Sequence, residues 1–195
     1  MSKKILLEQK LDSQIRKIVR DIISLFKKED FGDFELPSDL KTNEMTYSIP
    51  KLGEISVYVS IIPNNRVEGY KIDSEFYPDD NTINVEIIYN PSYGPKIMYE
   101  LVADLNDNLA HELTHLSQLE RGYKFPKKEP PSSLEYYTQP HELEAQMKGF
   151  KRIAKIQKKP LIDVIEKWFD DNRERHGLND DEIKKVINTM LFSED

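Results

Sequence analysis

Residues 110 to 118 read Ala-His-Glu-Leu-Thr-His-Leu-Ser-Gln, with His111 and His115 four positions apart and Glu112 between them. On an α-helix that spacing puts both histidines on one face, one turn apart. Two neutral imidazoles so placed can hold one zinc ion, and a glutamate beside them can take a proton from a zinc-bound water. The chain contains no cysteine. Disulfides, thiolate ligands and cysteine nucleophiles are therefore excluded together, and a third zinc ligand has to be Glu, Asp or His.

The motif needs a helix to position it, and the flanking sequence predicts one. Pro95 suits the first helical position and Gly122 a stop just past the end. Between them Leu101, Leu105, Leu109, Leu116 and Leu119 recur at helical spacing, as a buried face requires. Asp104, Asn108, His111, His115 and Gln118 form a polar stripe along another face. Such a stripe costs stability unless it has partners. Asp104 and Asn108, one or two turns before the histidines, could orient the imidazoles by hydrogen bonds, or could simply extend a solvated stripe.

The segment 136 to 146, Tyr-Tyr-Thr-Gln-Pro-His-Glu-Leu-Glu-Ala-Gln, offers the third ligand. Pro140 opens a helix, and Glu142 and Glu144 lie near its positive end, where anions are favoured. Glu142 shares its face with Ala145, Gln146 and Gly149, whereas Glu144 shares one with Lys148 and Lys151, an ion-pair face worth little. Glu142 is thus placed ahead of Glu144 as the ligand. His141 is a further candidate, pointing partly towards the exposed side. Leu143, Met147, Phe150 and Ala154 form the adjoining apolar stripe and read as core.

Elsewhere the pattern is that of an α+β chain. Residues 4 to 28 read as an amphipathic helix ending in Lys27-Lys28, followed by a loop with Gly32 and Pro37. From Met45 to Tyr89 the period changes to two. Ile55 to Ile61, Val67 to Phe76 and Ile83 to Tyr89 read as strands separated by turns at Asn64-Asn65 and Asp79-Asp80-Asn81. An antiparallel meander of three or four strands is expected. Residues 123 to 139, with Pro126, Pro130 and Pro131, read as a long connection, either a lid or substrate rim or a plain surface excursion. Beyond Pro140 the chain reads as helical, with breaks at Lys158-Lys159-Pro160 and at His176-Gly177. Asn179-Asp180-Asp181-Glu182 caps the last helix. The expected organisation is a domain over 1–159 and a helical extension over 160–195.

With its HExxH helix over Ala110 to Gln118 and a Glu-x-x-Ala helix over Tyr136 to Gln146, the chain resembles the gluzincins. It is most similar to small predicted metallopeptidases, phage-encoded or bacterial and intracellular. The element order (N-terminal helix, small sheet, metal-site helix, C-terminal helices) is compatible with a zincin-like fold. The resemblance implies zinc on His111, His115 and Glu142, Glu112 as general base, and hydrolysis of peptide bonds by a zinc-activated water. A developing oxyanion needs a second electrophile besides the metal. Tyr136 is the candidate, with Tyr137, Tyr123 and His176 as alternatives. The rival reading is a catalytically silent zincin-fold binding or structural protein, for example a virion component.

Composition bounds the partners. A net charge of −7 argues against nucleic acid. No stretch approaches a membrane span, and the charged, amphipathic N-terminus is not a signal peptide. The expectation is a peptide or protein substrate, no nucleic acid or membrane partner, and a cytoplasmic location (host cytoplasm or virion for a phage-encoded chain).

Overall fold

The structure, a computed structural model, describes residues 3–26, 42–49, 52–126 and 130–192. The Lys27-Lys28 end and the loop with Gly32 and Pro37 lie outside the described residues. The chain is α+β and forms two compact units, Met1–Glu120 and Arg121–Asp195.

In the first unit α1 (Lys3–Ser24) is followed by β1 (Thr42–Ile49), β2 (Gly53–Pro63), β3 (Tyr70–Tyr77) and β4 (Thr82–Tyr89). A 3-10 turn over Pro91–Lys96 then leads into α2 (Ile97–Glu120). Pro95 thus sits in the turn that delivers the chain to α2, two residues before the helix proper. The sheet order is β1-β2-β4-β3. β1–β2 and β3–β4 pair antiparallel, but β2 and β4 pair parallel, Val57 opposite Ile83 and Val59 opposite Val85. The sheet is therefore mixed, and the expected antiparallel meander is corrected.

Period two identifies strands but not their neighbours. The apolar set Ile83, Val85, Ile87 and Tyr89 makes β4 fit for the interior of the sheet, whereas Lys71, Asp73 and Glu75 suit β3 to an edge. The parallel pair needs a crossover, and β3 with its two turns supplies it. The first turn is held by Asn64, whose side-chain Oδ1 accepts from the Arg66 backbone N–H at 2.9 Å.

One face of this sheet is apolar. Ile55, Val57 and Val59 of β2, with Ile83, Val85 and Ile87 of β4, are buried together with Ile15, Ile18 and Ile22 of α1 and Leu101, Leu105 and Leu109 of α2. Helix α2 packs against both α1 and β3. At roughly 1.5–3 kcal/mol for each fully buried side chain of this kind, this core fixes the axial rotation of α2. The polar stripe on α2 is fixed with it.

The second unit is helical: α3 (Ser133–Thr138), α4 (Pro140–Gln157), α5 (Leu161–Asp171), α6 (Arg173–His176) and α7 (Asp180–Phe192). Short α3 lies inside what the sequence presents as a bare connection. Ser132 caps it, its Oγ accepting from the Glu135 N–H at 3.2 Å. The expected breaks are present: Lys158 and Gly177 both adopt the left-handed conformation, at φ 53° and 64°. Asn179 Oδ1 accepts from the backbone N–H groups of Asp181 and Glu182 while Glu182 reaches back to the Asn179 N–H, which makes a reciprocal cap for α7. Leu143, Met147 and Phe150 of α4 pack with Val164, Ile165 and Phe169 of α5 and Ile183, Val186 and Met190 of α7 in one core. Among the described residues no helix is long and apolar enough to cross a membrane.

Candidate metal centre

Helix α2 presents His111 and His115 one turn apart, with their Nε2 atoms 3.0 Å from each other. The ring of His115 is buried, and its Nδ1 lies 2.9 Å from Gln118 Oε1. An amide oxygen only accepts, so Nδ1 carries the proton and Nε2 the lone pair. That is the tautomer a metal ligand needs.

Glu112 is buried beside the histidines, and the Ser74 hydroxyl of β3 donates to its Oε1 at 2.8 Å. The same hydroxyl lies 3.3 Å from Asn108 Oδ1. Further back, Tyr70 donates to Asp104 Oδ2 at 2.6 Å, and Asn108 donates to the Asp104 carbonyl at 2.8 Å. Burial pushes the Asp104 carboxyl above its ordinary value, against the opposing effect of the Tyr70 hydrogen bond. Burial and that hydrogen bond also raise the Tyr70 phenol.

Of the two readings the sequence leaves open for Asp104 and Asn108, orienting the imidazoles is not the one the structure shows: both hydrogen-bond towards strand β3. The reason is geometric. Tyr70 and Ser74 share one face of β3 and stand about 13 Å apart at roughly 3.3 Å per residue. Asp104 and Glu112 share one face of α2 and stand about 12 Å apart at 1.5 Å per residue. Two steps of the strand period match two turns of the helix, so the stripe that would be costly on a lone helix is satisfied along the strand.

In the second unit Pro140 opens α4 and Glu142 lies in its first turn, buried. His141 is buried as well and is not on the exposed side. Its Nδ1 lies 2.9 Å from the Tyr123 hydroxyl, Phe125 meets its ring edge-on at 5.3 Å, and its Nε2 is 3.3 Å from Glu142 Oε1. Glu144 faces outward, where Arg121 grips both its oxygens at 2.9 and 2.8 Å and Lys148 lies at 3.2 Å. The division between a buried Glu142 and an ion-paired Glu144 follows the sequence reading.

His111, His115 and Glu142 form a group that could hold a metal ion: each offers one ligand atom, and these atoms all lie within 4.8 Å of one another. Two imidazole nitrogens and one carboxylate oxygen suit zinc, and several other divalent transition metals share that preference.

The oxyanion candidates fare unequally. Tyr136 sits in α3, partly buried against the helical core, its ring edge-on to Tyr137 at 5.1 Å. Tyr137 is buried in that core, and desolvation raises its phenol. Tyr123 is engaged by His141. His176 is buried with Nε2 2.7 Å from the Phe169 carbonyl and Nδ1 accepting from the Leu178 N–H at 2.9 Å, so the backbone occupies both its nitrogens.

The sequence does not single out Ser74 or Tyr70, and although it offers both Tyr123 and His141 as candidates it does not pair them. The one available signal was Ser74 itself, a small hydroxyl at an inward position of a strand. Comparison of the chain with protein-family models, with curated proteins and with solved structures found no match.

Proposed function

We propose that this chain is a zinc-dependent metallopeptidase in which His111, His115 and Glu142 hold the metal and Glu112 acts as general base. The observation that carries this reading is the His-His-Glu group with a buried carboxylate next to it in the chain. A purely structural zinc site usually closes all four positions with protein ligands and has no use for that carboxylate. When bound, zinc lowers the pKa of water from about 15.7 towards 7 and polarises a substrate carbonyl.

The chain's own residues do the rest. Glu112 takes the proton from the attacking water and passes it to the leaving amine. Ser74 donates to one oxygen of that carboxylate and so fixes its orientation. Gln118 holds His115 in the tautomer that binds metal. Tyr136 is the candidate donor to the developing oxyanion. The substrate is a peptide or protein.

Incubation of zinc-loaded protein with a peptide library, read by mass spectrometry, tests the reading. Wild type is expected to cleave, and Glu112→Gln to lose roughly 10²–10⁴-fold in rate while keeping its zinc. Full activity in Glu112→Gln would remove the general-base role.

A further inference from the structure

We propose that Gln118 is the positioning residue of His115, so that the metal affinity of the site is set by a buried amide one turn beyond the HExxH motif. This rests on the metal-site reading above and names a residue that the motif does not contain.

Three observations carry it. First, Gln118 is only 2% exposed although it belongs to the polar stripe. Ordering a glutamine side chain costs up to about 1.5–2 kcal/mol in rotamer entropy, and burying its amide costs more unless it is hydrogen-bonded. Second, its Oε1 lies 2.9 Å from His115 Nδ1, which fixes both the rotation of the ring and its tautomer. Third, the nitrogen left as lone-pair donor is Nε2, the atom 3.0 Å from His111 Nε2. With His115 Nε2 as the acceptor, His111 Nε2 donates to it in the metal-free chain, and a shared cation would take the place of that proton. The i, i+3 relation places residue 118 over the same face as residue 115, so α2 supplies both the ligand and its support without any other element.

Two substitutions separate positioning from packing. Gln118→Leu keeps most of the volume and removes the acceptor. Gln118→Glu keeps the acceptor and adds charge, which makes the bound imidazole more basic. Zinc affinity is measured by competition with a chromophoric chelator, and metal-free unfolding is followed by circular dichroism. Gln118→Leu should bind zinc roughly 10–100-fold more weakly than wild type with its metal-free fold intact, and Gln118→Glu at least as tightly as wild type.

A packing role gives the opposite order, with Leu neutral and Glu harmful. That order, or equal affinity in all three proteins, overturns the inference and leaves the metal site standing. If Gln118→Leu fails to fold, Gln118→Glu decides alone: binding as tight as wild type supports the inference and weaker binding overturns it. Wild type that takes up no zinc removes the metal-site reading and the inference with it.

Discussion

His115 and His176 are both buried histidines near a helix end, yet the structure uses them in opposite ways. At His176 the backbone takes both nitrogens, the Phe169 carbonyl at Nε2 and the Leu178 N–H at Nδ1. The ring is a neutral connector that ties the end of α6 to α5 and to the residues just before α7, among Tyr137, Trp168 and Phe169. At His115 a side chain, Gln118, takes Nδ1, and Nε2 is turned to a second imidazole. Burial therefore does not distinguish the two roles. What does is whether the second nitrogen ends on a backbone group or on another potential ligand.

The largest effect that would sharpen this comparison is expected at His176. His176→Ala leaves a buried carbonyl and a buried N–H without their partner and should cost about 2–4 kcal/mol, seen in urea unfolding, with metal stoichiometry unchanged at 25 °C. Loss of metal in that variant would break the comparison. A smaller effect is expected at Ser74. Ser74→Ala removes one hydrogen bond to Glu112, worth about 1–1.5 kcal/mol, and should slow peptide cleavage by roughly tenfold at unchanged zinc content. An unchanged rate would mean that the strand does not position the base.

The smallest effect is expected at Asp104. Its folded-state pKa is raised by burial, so the folded chain keeps this proton to higher pH than the unfolded chain. That contribution is complete below the ordinary aspartate value of about 3.9 and is lost as pH rises through the raised one. Asp104→Asn, which still offers Tyr70 an acceptor, should flatten the fall in stability over that acid range. An unaltered profile in denaturant titrations would assign the pH dependence to other groups.

The parts of the molecule legible in the sequence are those that depend on near neighbours in the chain. His111, Glu112 and His115 needed only a four-residue spacing, and the rotation of α2 followed from its leucines. The preference for Glu142 over Glu144 came from which small or charged residues share each face, and the capping at Asn179 from four consecutive residues. What was not legible depends on partners distant in sequence. The parallel pairing of β2 with β4 leaves no mark in a period-two pattern. The partners of Asp104 and Asn108 are not legible because Tyr70 and Ser74, more than thirty positions earlier, cannot be matched to them until α2 is laid on β3. His141 looked exposed by helical geometry alone, because Tyr123 and Phe125 reach it from the preceding segment. Helix α3 was hidden by the surrounding prolines, although Ser132 is a sound cap.

The most direct test is the metal content of tag-free protein, measured by mass spectrometry on wild type and His115→Ala. About one zinc per wild-type chain, lost in the variant, is the expected result for a three-ligand catalytic-type site. Wild-type protein that holds no stoichiometric metal after zinc is added back, or a variant that holds as much as wild type, would contradict it.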